Sequence, residues 1–177
     1  MKKEYLFHTL LIVLFFVIQY SFVRILPTPF NGLNVILISL VFVLVLEGRE
    51  KAFLWAVGFG FLSGSFSFFR LNIDLLLLPL FVVYNDFLLV NFFTNRSLYS
   101  YLIMTTSSIF FYNILFFAIY NGFYGEVEQG VVKMIFGYFD DGFKPILINI
   151  FFSVIIFYLF NFVGKKFKPA FLDTTMK

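Results

Sequence analysis

The chain contains no cysteine, which removes disulfide frameworks, thiolate nucleophiles and cysteine-based zinc or iron–sulfur sites together. It contains one histidine, His8, too few for a multi-histidine metal site. Close to the start of an apolar run, His8 reads as an interfacial residue to which no chemistry is assigned. Charge is scarce too. Charged residues make up 13% of the sequence, against roughly 25% in an ordinary soluble domain, and a formal net charge of +3 implies no nucleic-acid partner. Nor does the sequence carry a GxSxG elbow, an HExxH pair, a phosphate-binding loop or a dinucleotide fingerprint. Enzymatic activity is therefore disfavoured and no cofactor or metal is expected.

What remains is grease. Hydrophobic residues make up 61% and aromatic residues 24% of 177 positions, more apolar surface than one small globule can hide. Several runs approach the roughly 20 residues that a helix needs to cross the hydrocarbon core. The reading is an all-α integral membrane protein, a single domain of about six spans near 5–23, 30–46, 52–69, 75–93, 98–120 and 145–163. The first run is too long for a signal-peptide core and lacks a small-residue cleavage motif before Arg24, so it is expected to be retained. In the second, the continuous apolar core from Leu33 to Leu46 is short, which leaves open whether it crosses fully, tilts or is partly re-entrant. The proline-bearing RILPTPFNG, Arg24 to Gly32, opposes regular helix before it.

Basic residues alternate as six crossings require. Lys2, Lys3, Arg49, Lys51, Arg96, Lys165, Lys166, Lys168 and Lys177 fall on one side, while Arg24, Arg70, Lys133 and Lys144 fall on the other, which puts both termini in the cytoplasm. EGREK, Glu47 to Lys51, and TNRS, Thr94 to Ser97, then form tight cytoplasmic hairpins, the second able to cap the following helix. The external loop 121–144 spaces Val127, Val131, Ile135 and Phe139 at near-helical intervals, a pattern for an interfacial helix and a surface on which a partner could dock.

Polar residues within the spans are the candidate site. Asp86, in VVYNDFLLVNFF, is expected to face inward, because a central carboxylate costs about 2.5–3.5 kcal/mol on insertion scales. It is either a ligand- or proton-binding group, helped by Asn85 or Tyr84, or a tie between helices. Its expected partners are Thr105, Thr106, Ser107, Ser108, Tyr112 and Asn113 in the fifth span, with Arg70 more distant. Ser63, Ser67 and Arg70 form a polar stripe that either lines a cavity or has its serines bonded to their own i−4 carbonyls while Arg70 reaches the headgroups. Ala56, Gly60 and Gly64 recur every four residues and share one face, a ridge for close helix packing.

The stretch NGLNVILISLVFVLVLEGREKAFLWAVGFGFLSGSFSF joins a Leu/Val-rich second helix to a glycine-rich third through a short charged turn, after a proline-bearing entry. In this, over roughly the first two-thirds of the chain, it resembles the MreD family of bacterial rod shape-determining membrane proteins. Family members often follow those glycines with an acidic residue, whereas Phe66 to Phe69 has none, so no site residue is carried over. The resemblance implies a noncatalytic subunit of the cell-elongation machinery in the inner membrane, binding a periplasmic MreC-like scaffold protein and other elongation-complex membrane proteins. The alternative is a substrate-binding membrane subunit of an energy-coupling-factor transporter, similar in length and layout. Asp86, Asn85, Arg70, Tyr112 and Asn113 would then contact ligand.

Overall fold

A computed structural model describes residues 2–27, 30–66, 72–93, 98–124 and 143–163. Six α-helices account for most of them: α1 Lys2–Val17, α2 Val35–Glu47, α3 Arg49–Phe66, α4 Ile73–Asn91, α5 Leu98–Tyr124 and α6 Phe143–Val163. No strand occurs among the described residues. Among the described residues, two apolar stretches are long enough to cross a membrane, Tyr5–Ile25 and Ile73–Asn91, while Val35–Glu47 and the part Ile146–Tyr158 of α6 are shorter apolar segments.

The second apolar run behaves differently from a straight span over 30–46. Phe30–Gly32 is a 3-10 turn, the helix starts only at Val35, and Asn34 is its N-cap. At about 1.5 Å per residue, the 13 residues of α2 extend roughly 20 Å. The helix is short because it is central. A helix that is apolar all round has no solvent face and must be enclosed, and ten of its residues are buried, with α1, α3, α4 and α5 packed about it. Leu37, Leu40 and Val41 meet Phe59, Phe81 and Met104 in the main core.

The turn from α2 to α3 is as tight as a hairpin between helices can be. Glu47 ends one helix, Arg49 begins the next, and Gly48 alone links them at φ 90°, a conformation that a Cβ would oppose. Gly48 N–H still closes α2 on the Leu44 carbonyl, and Ala52 N–H opens α3 on the Gly48 carbonyl. Antiparallel packing of α2 on α3 follows directly.

The small-residue ridge of α3 lies against the start of α4. A Cβ on Gly60 would fall 2.7 Å from Leu75 Cα, and one on Gly64 would overlap the Asn72 side chain. Asn72 uses the space: its Nδ2 donates to the Gly60 carbonyl at 2.7 Å and its Oδ1 accepts from Leu75 N–H at 3.3 Å, capping α4. Ala56 is fully buried on the same face.

The first helix does not end at Val17 but widens. Ile18–Phe22 is a π-helical turn, closed by Val23 N–H on the Ile18 carbonyl, followed by the 3-10 turn Val23–Ile25. This wider turn carries Gln19 inward, where it is buried. Later in the chain, α5 runs through Tyr124, so the helix continues past position 120, where the fifth span was expected to end. The predicted interfacial helix with Val127, Val131, Ile135 and Phe139, the Thr94–Ser97 hairpin, Ser67 and Arg70 lie outside the described residues.

Candidate functional site

The most heavily bonded polar centre is at the start of α2, and it is built from residues that the sequence reading passed over. Gln19 Nε2 donates to the Leu33 carbonyl at 3.1 Å, and Gln19 Oε1 accepts from Val35 N–H at 2.7 Å. From α6, Asn149 Nδ2 donates to the Gly32 carbonyl at 2.9 Å and Oδ1 accepts from Asn34 N–H at 2.8 Å. Each carboxamide thus takes one carbonyl and one amide from the stretch 32–35, as a peptide group of a neighbouring strand would. Asn34 Oδ1 adds a bond to Leu37 N–H at 3.1 Å. A helix start leaves its first four N–H groups without intrahelical acceptors; here those of Asn34, Val35 and Leu37 are taken by side chains. The nonhelical link into the buried helix is therefore satisfied where regular structure cannot do it.

A second centre lies between α4 and α5. The Asn85 side chain, wholly buried, donates from Nδ2 to the Phe81 carbonyl at 2.8 Å and accepts from the Ser108 hydroxyl through Oδ1. Near the Asn72 end of α4, Tyr112 donates its hydroxyl to Asp74 Oδ1 at 2.5 Å. The Arg24 guanidinium stacks over the Tyr20 ring, 4.2 Å from its centroid, in electrostatic reach of Tyr112. Asn113 is half-buried.

The hydroxyls of α5 mostly turn back on their own helix. Thr105 donates to the Tyr101 carbonyl and Thr106 to the Leu102 carbonyl, both at 2.8 Å, while Ser107 donates to the Met104 carbonyl at 3.1 Å. Ser63 in α3 does likewise, to the Gly60 carbonyl at 3.1 Å. Of the α5 group, Ser108 and Tyr112 are the ones bonded to side chains of α4.

Asp86 finds a partner the sequence reading did not consider. It faces Arg49 in the α2–α3 turn, Nη1 to Oδ2 3.5 Å, instead of the expected α5 hydroxyls. The reason is register: Asp86 sits low in α4, level with the Gly48 turn, whereas Asn85 one residue earlier points 100° away toward α5. Arg49 is 60% exposed and Asp86 23%, so the pair is partly solvated and worth no more than about 1 kcal/mol. Asp86→Asn is accordingly expected to shift the thermal unfolding midpoint hardly at all. It should also leave complementation of a deletion strain intact; loss of function with abundance unchanged would instead assign Asp86 to ligand or proton binding.

At the same end, His8 of α1 is buried within the protein. Trp55 Nε1 donates to His8 Nδ1 at 3.2 Å, and His8 Nε2 faces Glu47 Oε2 at 3.3 Å; Lys51 Nζ holds the same Glu47 oxygen at 2.9 Å. Neither partner is near His8 in sequence, so no local pattern shows the contacts.

The residues proposed as one ligand-contacting set are thus divided: Asp86 with Arg49, Asn85 with Ser108, Tyr112 with Asp74. Among the described residues, no three His, Asp or Glu side chains gather as metal ligands. Gln19 and Asn149 carried the same signal that singled out Asp86, a lone polar side chain inside an apolar run. Their spacing of more than a hundred residues hid the shared target. Comparison with models of known protein families, with curated proteins and with solved structures finds no match for this chain.

Proposed function

We propose that the chain is an integral protein of the bacterial inner membrane that crosses the bilayer six times with both termini in the cytoplasm. In this reading it works as a noncatalytic, MreD-like scaffold subunit of the cell-elongation machinery. The membrane part draws on an inverted surface. Leu6, Leu10, Leu76, Val90, Ile103 and Phe151 are each more than half exposed, while Gln19, Asn85, Ser108, Asn149 and Ser153 are buried. Water would penalise that arrangement, because soluble monomers seldom expose contiguous apolar patches beyond a few hundred Å². Acyl chains favour it, because polar groups are costly in lipid unless they pair with each other.

The scaffold part draws on one observation: the buried polar side chains are mainly engaged with one another or with the backbone, in separate places, instead of converging on one space. A protein whose interior is committed to holding its own helices acts through its surfaces. The resemblance of Asn31 to Phe68 to MreD-type proteins supplies the partners, a periplasmic MreC-like scaffold and other elongation-complex membrane proteins. The transporter-subunit alternative needs Asp86, Asn85, Tyr112, Asn113 and Arg70 to share a ligand, and the separate partners of Asp86, Asn85 and Tyr112 weigh against it.

Affinity purification of the full chain in mild detergent, followed by mass spectrometry, tests the proposal. Recovery of a coiled-coil periplasmic protein is expected. Recovery of cytoplasmic ATPases in its place would replace scaffolding with transport.

A further inference from the structure

The arrangement around His8 is asymmetric in a way that makes it sensitive to a proton. An indole N–H can only donate, so the bond from Trp55 Nε1 at 3.2 Å requires His8 Nδ1 to be an unprotonated acceptor. The ring's hydrogen is then on Nε2, pointing at Glu47 Oε2. Neutral His8 consequently links two elements at once, α3 through Trp55 and α2 through Glu47, while itself belonging to α1. Adding a proton can only occur at Nδ1. That sets two N–H groups against each other across 3.2 Å, while the bond to Glu47 becomes a full ion pair.

We propose that His8 is a proton-responsive joint between α1 and the α2–α3 hairpin: neutral, it holds Trp55 and Glu47 together; protonated, it keeps Glu47 and releases Trp55. The released indole has little room to find a new acceptor. Trp55 is buried, with Phe15 and Phe59 rings 5.9 and 5.8 Å away, and a buried donor left unpaired is unfavourable. The ring contact must therefore rearrange. Among the side chains the structure describes, the charged groups around His8 are Glu47 from α2, in direct contact, and Lys51 from α3, which reaches His8 through Glu47. Arg49, in the same hairpin, is turned to Asp86 of α4. From α1 itself, Phe7 presents its ring edge-on to the imidazole, centroids 6.1 Å apart. The joint is independent of the scaffold reading, since any function of the chain would inherit it.

The test is unusually clean because the sequence holds one tryptophan and one histidine. Emission of Trp55 is followed in the purified full chain between about pH 8 and pH 5, the range in which histidine changes charge. An imidazolium beside an indole quenches its fluorescence, so a reversible loss of emission on acidification is expected, and His8→Gln should abolish the step. Nitrogen-15 spectra of the single imidazole provide a reading that needs no variant. They should show the Nε2–H tautomer at the alkaline end, with the Trp55 indole proton losing its hydrogen-bonded shift as the ring becomes charged. A flat wild-type trace, a step that survives in His8→Gln, or an Nδ1–H tautomer overturns the proposal.

Discussion

Gln19→Leu is expected to lower the thermal unfolding midpoint of the purified protein sharply, although the replacement is apolar and lies in an apolar chain. The substitution removes no large packing group. It strips partners from the Leu33 carbonyl and the Val35 amide, and each buried polar group left unpaired costs about 1–3 kcal/mol. Asn149→Leu acts on the Gly32 carbonyl and the Asn34 amide and should be comparable. The two losses are not expected to add simply. Both amides hold the same four-residue stretch, so freeing it with the first change reduces what the second can cost, a coupling that a double-mutant cycle reads directly. Asn91→Leu is the control, since Asn91 is exposed and, among the described residues, bonds to the Phe87 carbonyl of its own helix. Equal midpoints for the wild type, Gln19→Leu and Asn91→Leu would refute the clamp.

Gly60→Ala is the second change with a large expected effect. The added methyl would sit 2.7 Å from Leu75 Cα and 3.1 Å from the Asp74 carbonyl oxygen, both backbone atoms that cannot swing aside, so α3 and α4 must separate. Overpacking of this kind costs typically about 1–3 kcal/mol. Separation also pulls the Gly60 carbonyl from Asn72, whose Oδ1 caps α4. Gly64→Ala collides with the Asn72 side chain itself and should lose the same bond by displacing it. Position matters more than the residue type. Gly122, in α5, has open space where its Cβ would be, so Gly122→Ala should be neutral or gain up to about 1 kcal/mol of helix propensity. Thermal midpoints in the order Gly122→Ala, then Gly64→Ala, then Gly60→Ala from highest to lowest are the expected result. A Gly60→Ala protein as stable as wild type would mean that α3 and α4 do not approach this closely.

The central helix α2, with 13 residues, is too short to be a simple rod. Its end near Gly48 is fixed by a one-residue link, and its start at Asn34 by carboxamides reaching in from the first and last helices. In the proposed bilayer setting, a hydrocarbon core of about 30 Å exceeds the roughly 20 Å that 13 residues span. Part of the 3-10 and extended chain before Val35 would then lie at membrane depth. Nonhelical backbone is tolerated there only where protein groups satisfy it, and Gln19 and Asn149 do so.

Helix content was legible because long apolar runs, Gly and Pro punctuation and the charged EGREK turn are local signals. The ridge of Ala56, Gly60 and Gly64 was legible for the same reason: every fourth residue shares a helix face whatever surrounds it. Asn85 and Ser108 could be nominated as polar residues within apolar runs, but their pairing depended on how α4 is rotated against α5. The π-helical turn at Ile18–Phe22 left no periodic trace, and it sets the orientation of Gln19.

By itself, then, the amino-acid order determined which segments coil and which faces carry small or polar side chains, since those follow from backbone sterics and residue spacing over a few turns. Tertiary structure alone decided who meets whom: Gln19 and Asn149 at residues 32–35, Asp86 at Arg49 and His8 between Trp55 and Glu47. Such pairings depend on the rotation and depth of whole helices relative to one another. These are fixed by the summed packing of many side chains, so no local pattern in the chain can encode them.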